Sequence, residues 1–214
     1  MDENLPSPLP DEEPEVERSL EPISNGLLLI DITGFLYLVK TFYNAANKEV
    51  KKKQIEKLLN DYNWFEHYLD KKHVTKVLSE SGVIEHEHEI RTAILLAKVN
   101  YTVVFAPKGM FKREDKKFDV FLIRGTVMLK ADLKTVTTKN PDTIAKRIKE
   151  GCDQAPRIVL DVKSDIEIKA LIDGLQSGSI KNNLLKEVLL FYRSKFYILP
   201  KNLILSRRIY SILK

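Results

Sequence analysis

The sequence predicts an α/β fold, a mixed sheet flanked by helices with a helical extension on its N-terminal side, and three observations predict it. From about residue 83 onward, short β-rich runs alternate with segments of helical period, the texture of a sheet covered by helices. The chain has 214 residues, 43% of them hydrophobic, enough for one sizeable core and not for two large ones. Cys152 is the single cysteine, so no intramolecular disulfide can form, a cysteine-rich zinc site is excluded, and the fold must stand on its core.

The elements follow in chain order. Residues 1–24 hold five of the nine prolines and a cluster of acids, a composition that does not repay the entropy of ordering, and read as a flexible tail. Residues 25–82 read as a helical region. Within it, residues 48–62 space Val50, Ile55, Leu58, Leu59 and Tyr62 at near-helical intervals, and residues 64–78 read as a further helix closed by Ser79, Ser81 and Gly82. Residues 83–214 form the α/β domain. Glu87–Lys98 is a helix with Ile90, Ala93, Ile94 and Ala97 on one face, and residues 101–106 are a strand ended by Pro107 and Gly109. Residues 118–123 and Val127–Val136 are two strands joined at Arg124, Gly125 and Thr126, a hairpin turn. Pro141 opens the next helix with Asn140 as its cap. Arg157–Val162 is a buried strand, residues 164–175 a helix, and residues 188–192 and 196–199 a closing strand pair.

Charge is unevenly placed. Residues 1–24 carry eight acids and one base, Arg18, a net of −7, so against the overall +5 the remaining residues carry +12. A basic body suits a polyanionic partner, because lysine and arginine gain affinity by displacing counterions from phosphates. The N-terminus lacks the positive start and apolar run of a signal peptide. The best membrane candidate, residues 27–39, is interrupted by Asp31, Thr33 and Gly34 and falls short of the roughly 20 residues a span needs. The expectation is a soluble chain with no membrane span and a cytoplasmic site of action.

The segment FDVFLIRGTVMLKADLKTV carries the chemistry. Side chains two apart on a strand share a face, so Asp132 and Lys134 point the same way, roughly 7 Å apart. An acid and an amine on a strand that should be buried call for a partner, water or a metal. A hairpin brings Asp119 alongside. One acid, a gap, then acid-x-lysine resembles the signature of the PD-(D/E)XK nucleases. In that chemistry two carboxylates supply hard oxygen ligands to Mg²⁺ or Mn²⁺, with Zn²⁺ the next candidate, and a lysine orients the attacking water or steadies developing charge. The order helix with Glu89, strand, strand with Asp119, strand with Asp132-x-Lys134, helix, strand is similar to the core of that superfamily, in which the first helix lends an acid.

Over about residues 83–200 the wording also resembles the C-terminal nuclease domain of CdiA contact-dependent inhibition toxins. HEIRTAILLAKVNYTVVFAP, FDVFLIRG, ADLKTVTTKNPDTIAKRIKEGCDQAPRIVLDV and VLLFYRSKFYIL carry the resemblance, with Ile144, Ile148, Gln154 and Ala155 in the stretch after the acid-x-lysine strand. It implies a restriction-endonuclease-like fold, tRNA cleavage, a site made of Glu89, Asp119, Asp132, Lys134 and Gln154, a metal held by Asp119, Asp132 and Glu89, and a cognate immunity protein. Asp132 stands where many relatives have Glu, Asn100 where many have Gly, and Lys130 adds a positive charge beside the acids.

Two basic stretches should flank the site and contact phosphates: Lys112, Arg113, Lys116 and Lys117 before Asp119, and Lys139, Lys146, Arg147 and Lys149 after Lys134. His86 and His88, in an EHEHE run, invite a zinc site, but acids at a helix start are favoured by its dipole and histidines there are usually solvated. Two readings remain beside a tRNA nuclease: a DNA endonuclease of the same fold, and a non-catalytic nucleic-acid-binding or phage-associated module on a degenerate nuclease fold. The substrate distinction rests on 2′-hydroxyl contacts that a sequence does not display.

Overall fold

A computed structural model describes residues 32–81, 83, 85–111 and 117–214. The expected tail, residues 1–24, and Lys112, Arg113 and Lys116 lie outside them. Two helices come first, α1 (Ile32–Asn44) and α2 (Lys48–Asn60). α1 buries Phe35, Val39 and Phe42 on one stripe, and α2 is capped by Asn47, whose side chain accepts from Glu49 N at 2.8 Å. Then follow β1 (Trp64–Asp70), β2 (Thr75–Glu80), α3 (Glu87–Lys98), β3 (Thr102–Phe105), β4 (Val120–Arg124), β5 (Val127–Val136), α4 (Pro141–Cys152), β6 (Arg157–Val162), α5 (Ile168–Ile180), β7 (Glu187–Tyr192) and β8 (Lys195–Pro200). Short α6 (Lys201–Ile204) and α7 (Ile209–Leu213) close the chain.

The eight strands lie in one sheet in sequence order, β1 to β8. Hairpins give antiparallel pairs. The crossovers through α3, α4 and α5 give the parallel pairs β2 with β3, β5 with β6 and β6 with β7. Strand alternation sends successive residues to opposite faces. On one face α3 packs through Ala93, Leu96 and Ala97 onto Val103, Val120, Leu122, Ala131, Leu133 and Val159. On the other, α4 and α5 cover Ile158, Leu160, Val188 and Leu190, while α1 and α2 cover Val104, Phe121, Ile123 and Met128. Asp132 belongs to this second face, because its neighbours Ala131 and Leu133 face α3.

Several expected elements form with the expected bounds: Glu87–Lys98, Val127–Val136 and Arg157–Val162. Asn140 caps α4 by accepting from Asp142 N at 2.8 Å, with Pro141 in the first turn. The β4–β5 hairpin pairs Arg124 with Val127, and Gly125 takes the positive φ of +58° that the tight turn needs. One expectation is overturned. Residues 64–78 form no helix but most of the β1–β2 hairpin, whose turn is held by Asp70 Oδ1 accepting from Lys72 N at 2.9 Å and His73 N at 3.2 Å. Trp64, Phe65, Tyr68 and Leu69 recur at a spacing that also suits a helix, but pairing with β2 at the sheet edge satisfies the backbone instead. α5 starts four residues later than expected because Ser164 does not cap it: its hydroxyl donates to Thr138 O at 2.7 Å, and the helix begins after Glu167. Among the described residues no helix is long and apolar enough to cross a membrane.

Candidate active site

The site forms where β4 begins beside the second half of β5. The ladder pairs Val120 with Ala131, and Asp119 N donates to Ala131 O at 3.2 Å, so Asp119 stands across from Asp132. Asp119 is clamped by its own strand partner: Oδ2 accepts from Leu133 N at 2.6 Å. Asp132 is fully buried, and its Oδ2 lies 2.5 Å from Lys134 Nζ, whose side chain is 16% exposed. That approach is a charge contact and not an aligned hydrogen bond, which leaves Oδ2 without an aligned donor. Gln154, just past the end of α4, turns its amide nitrogen to Asp132 Oδ1 at 3.1 Å and to the carbonyl of Lys117. The close approach of α4 requires Gly151, since a Cβ there would meet Ile158 Cδ1 at 2.5 Å and Asp132 Oδ2 at 2.8 Å.

Burial, and then the charge of Asp119, push the Asp132 carboxyl up to about 7, while Lys134 pulls it down. Asp119 and Asp132 are close enough for one carboxyl to hydrogen-bond the other, and the Asp119 charge adds to burial in favouring the protonated form of Asp132. Such a pair, with one oxygen lacking an aligned donor, is a donor set that suits a hard divalent cation. Among the described residues no three His, Cys, Asp or Glu side chains gather closely enough to form a metal cage by themselves. The candidate ligands in mutual contact are therefore Asp119 and Asp132. Glu89 stands further off.

Glu89 lies in the first turn of α3 and lines, with Asp119, Glu85, Lys108, Lys117 and Phe118, an open cavity of about 420 Å³. Burial and the Asp119 charge raise its carboxyl, which the histidines and Lys134 partly offset. Glu85 is raised in the same way, by burial first and then by Glu89 and Asp119, against Lys108. The fold thus brings Glu89, Asp119, Asp132, Lys134 and Gln154 to one place. It adds Glu85 and Lys108, which the sequence did not single out. Both come from loops, where no periodicity marks them, although Glu85 belongs to the conspicuous EHEHE run. His86 and His88 stack on one another with ring centroids 5.6 Å apart and are not gathered into a metal cluster.

The basic residues divide. Lys117 lines the cavity. Lys139, expected to flank the site, stands at the start of α4, and Gln154 follows its end, roughly 18 Å away for twelve helical residues. Lys146 and Arg147 are exposed on the helix between them and face Glu150 at 3.9 and 3.2 Å. A second acid-x-lysine, Asp161-Val162-Lys163, runs off the end of β6, with Asp161 Oδ2 2.8 Å from Lys163 Nζ and 3.3 Å from Thr92 Oγ1. No family model, curated protein or solved structure matches the chain.

Proposed function

We propose that the chain is a metal-dependent nuclease of the PD-(D/E)XK kind, a hydrolase of phosphodiester bonds acting on RNA, with tRNA the first substrate to test. The observation that carries the proposal is the buried Asp132, opposed by Asp119 across the β4–β5 ladder and touched by Lys134. Burying the Asp132 carboxyl beside the half-buried Asp119 costs free energy that a core without function would shed by substitution. Asp119 and Asp132 would hold Mg²⁺ or Mn²⁺, which when bound supplies an activated water and neutralises charge on the phosphoryl oxygens. Lys134 places an ammonium beside the same oxygens, where it orients the attacking water and opposes the growing negative charge. Gln154 fixes the rotamer of Asp132 through Oδ1. Glu89, raised by burial, is a stronger base than a free carboxylate and faces the cavity in which a substrate would lie. The RNA preference, the toxin-like role and an immunity partner rest on the resemblance of residues 83–200 to contact-dependent inhibition nucleases.

The test is incubation of the purified protein with total tRNA and with plasmid DNA, in Mg²⁺, Mn²⁺, Zn²⁺ or EDTA. Cleavage of tRNA that EDTA stops is the expected result. Cleavage of DNA alone would move the substrate and keep the chemistry. Binding of either without cleavage in any metal would replace the enzyme by a binding module.

A further inference from the structure

Lys130 precedes Asp132 by two positions on β5, and its surroundings are unlike those of any other lysine described. It is half-buried. Among the described residues it makes no ion pair. Its Nζ instead lies over two aromatic rings, 5.1 Å from the centroid of Phe118 and 5.4 Å from that of Tyr43. Phe118 borders the cavity of the candidate active site. Tyr43, from the last turn of α1, borders a second cavity of about 340 Å³, lined also by Met128, Lys130, Pro156, Arg157 and Lys186. Lys130 therefore stands in the wall between the two.

The second cavity is built where β5, β6 and β7 begin. Arg157 is the first residue of β6, and Lys186 immediately precedes β7, its backbone nitrogen donating to Pro156 O at 2.8 Å. Three cations line the cavity and no carboxylate does. Arg157 spends its Nε on Glu187 Oε1, 2.5 Å away, which leaves further guanidinium donors free. Tyr43 is pinned by its hydroxyl donating to Met128 O at 3.3 Å, and burial pushes that hydroxyl up to about 12, so it remains a neutral phenol. Tyr43 as a residue is 44% exposed, and its pinned ring stands beside the cations.

We propose that this cavity is a subsite for a backbone phosphate of a single nucleic-acid strand, held by Lys130, Lys186 and Arg157, with the attached base stacked on Tyr43. Half-burying an ammonium without a carboxylate costs free energy that ring faces offset only in part, and an anionic ligand supplies the missing partner. Aromatic stacking beside a cationic groove is the way a strand is held without reading its sequence. Lys130 and Asp132 share a face of β5 at a separation of roughly 7 Å, so the phosphate held here neighbours the one presented to the carboxylates. The identity of the ligand, though not the existence of the anion site, rests on the nuclease reading.

The experiment measures binding of a fluorescein-labelled single-stranded RNA by anisotropy across a salt series, with the full chain carrying Asp132→Asn so that the probe stays intact. Added to that parent, Lys130→Met keeps the apolar stem and removes the charge. Lys186→Gln removes an exposed charge, and Tyr43→Leu removes the stacking face. Lys195→Gln, at the first residue of β8 beside the far end of β7, is the control. We expect Lys130→Met and Lys186→Gln each to weaken binding severalfold and to lower the slope of log affinity against log salt by about 0.7. Tyr43→Leu should weaken binding and leave most of the slope, and Lys195→Gln should change neither. A mononucleotide should displace the probe better than inorganic phosphate, and equal displacement would reduce the site to one for free phosphate and overturn the nucleic-acid assignment. Slopes equal to the parent in both lysine variants, with unchanged melting curves, would overturn the subsite even if the unsubstituted chain cuts RNA. Lowered slopes in a chain that never cuts would uphold the subsite and overturn the nuclease.

Discussion

Two neighbouring strands each lead an aspartate, one residue and a lysine along the chain, Asp132-Leu133-Lys134 within β5 and Asp161-Val162-Lys163 at the end of β6, and only the first faces a second carboxyl. Both acids are buried, Asp132 fully and Asp161 to 3% exposure, and both lysines approach their acid, at 2.5 and 2.8 Å. They differ in company. Asp161 shares a face with Val159, toward α3, where Thr92 Oγ1 offers it a donor at 3.3 Å, and Lys163 reaches half into solvent. Its charge is answered by one cation and one hydroxyl. Asp132 looks toward α4 and meets a second carboxyl, Asp119, so the single ammonium of Lys134 must serve two acids. The spacing acid-x-lysine thus marks an ion pair on a strand. The second carboxylate across the ladder is what turns one such pair into a candidate metal site.

The comparison breaks first at the two acids. Asp132→Asn keeps the shape and removes a ligand charge, and should lower cleavage by at least about 10³-fold, the upper range seen when one preorganised charge is lost. Asp161→Asn should leave cleavage within a few fold and act on stability instead, because it strands Lys163 and alters the bond from Thr92. Single-turnover assays on tRNA with saturating Mg²⁺ compare them. Comparable losses in both variants would show that β6 is part of the chemistry. The lysines come next. Lys134→Ala should cut the rate by about 10²-fold while metal binding, read by calorimetry with Mn²⁺, persists. Lys163→Ala should change the rate by no more than about twofold, since its ammonium neutralises a carboxylate outside the cavity.

How far this was legible in the sequence follows from where each signal is written. α3, β5, α4 and β6 announce themselves locally, through period, the Asn140 cap and Pro141, and with them came the placing of Glu89, Asp132, Lys134 and Gln154. The β1–β2 hairpin did not, because Trp64, Phe65, Tyr68 and Leu69 recur at a helical spacing and only pairing at the sheet edge makes them a strand. Lys139 precedes α4 and Gln154 follows it, a separation along the helix that nearness to Lys134 in sequence does not display. Glu85 and Lys108 entered through loop geometry. Lys130 was visible as an unexplained charge, but the rings of Tyr43 and Phe118 that receive it lie 87 and 12 positions away in the chain.

The last difference is read in stability rather than in turnover. A carboxyl with a folded-state value of about 7 and an ordinary value of 3.8 binds its proton more tightly in the folded chain than in the unfolded one. Between those two values the folded state holds more protons, so the free energy of unfolding must fall as pH rises from about 4 to about 7, and must level off above. For Asp132 the fall in metal-free protein should be on the order of a few kcal/mol. Glu89 and Glu85, raised by burial as well, add to it in the same direction. Urea unfolding in EDTA at pH 4.5 and 7.5 measures the fall. Asp132→Asn should remove the larger part of it and be the more stable protein at pH 7.5, because an amide opposite Asp119 relieves the repulsion. Asp161→Asn should retain the fall, since Asp119 and Asp132 remain opposed. Saturating Mg²⁺ should flatten it, because the ligated form is the deprotonated one, so the pH dependence itself becomes an assay for metal at the pair. A wild-type protein equally stable at both pH values in EDTA would mean that Asp119 and Asp132 are not held together, and the contrast between β5 and β6 would lose its physical basis.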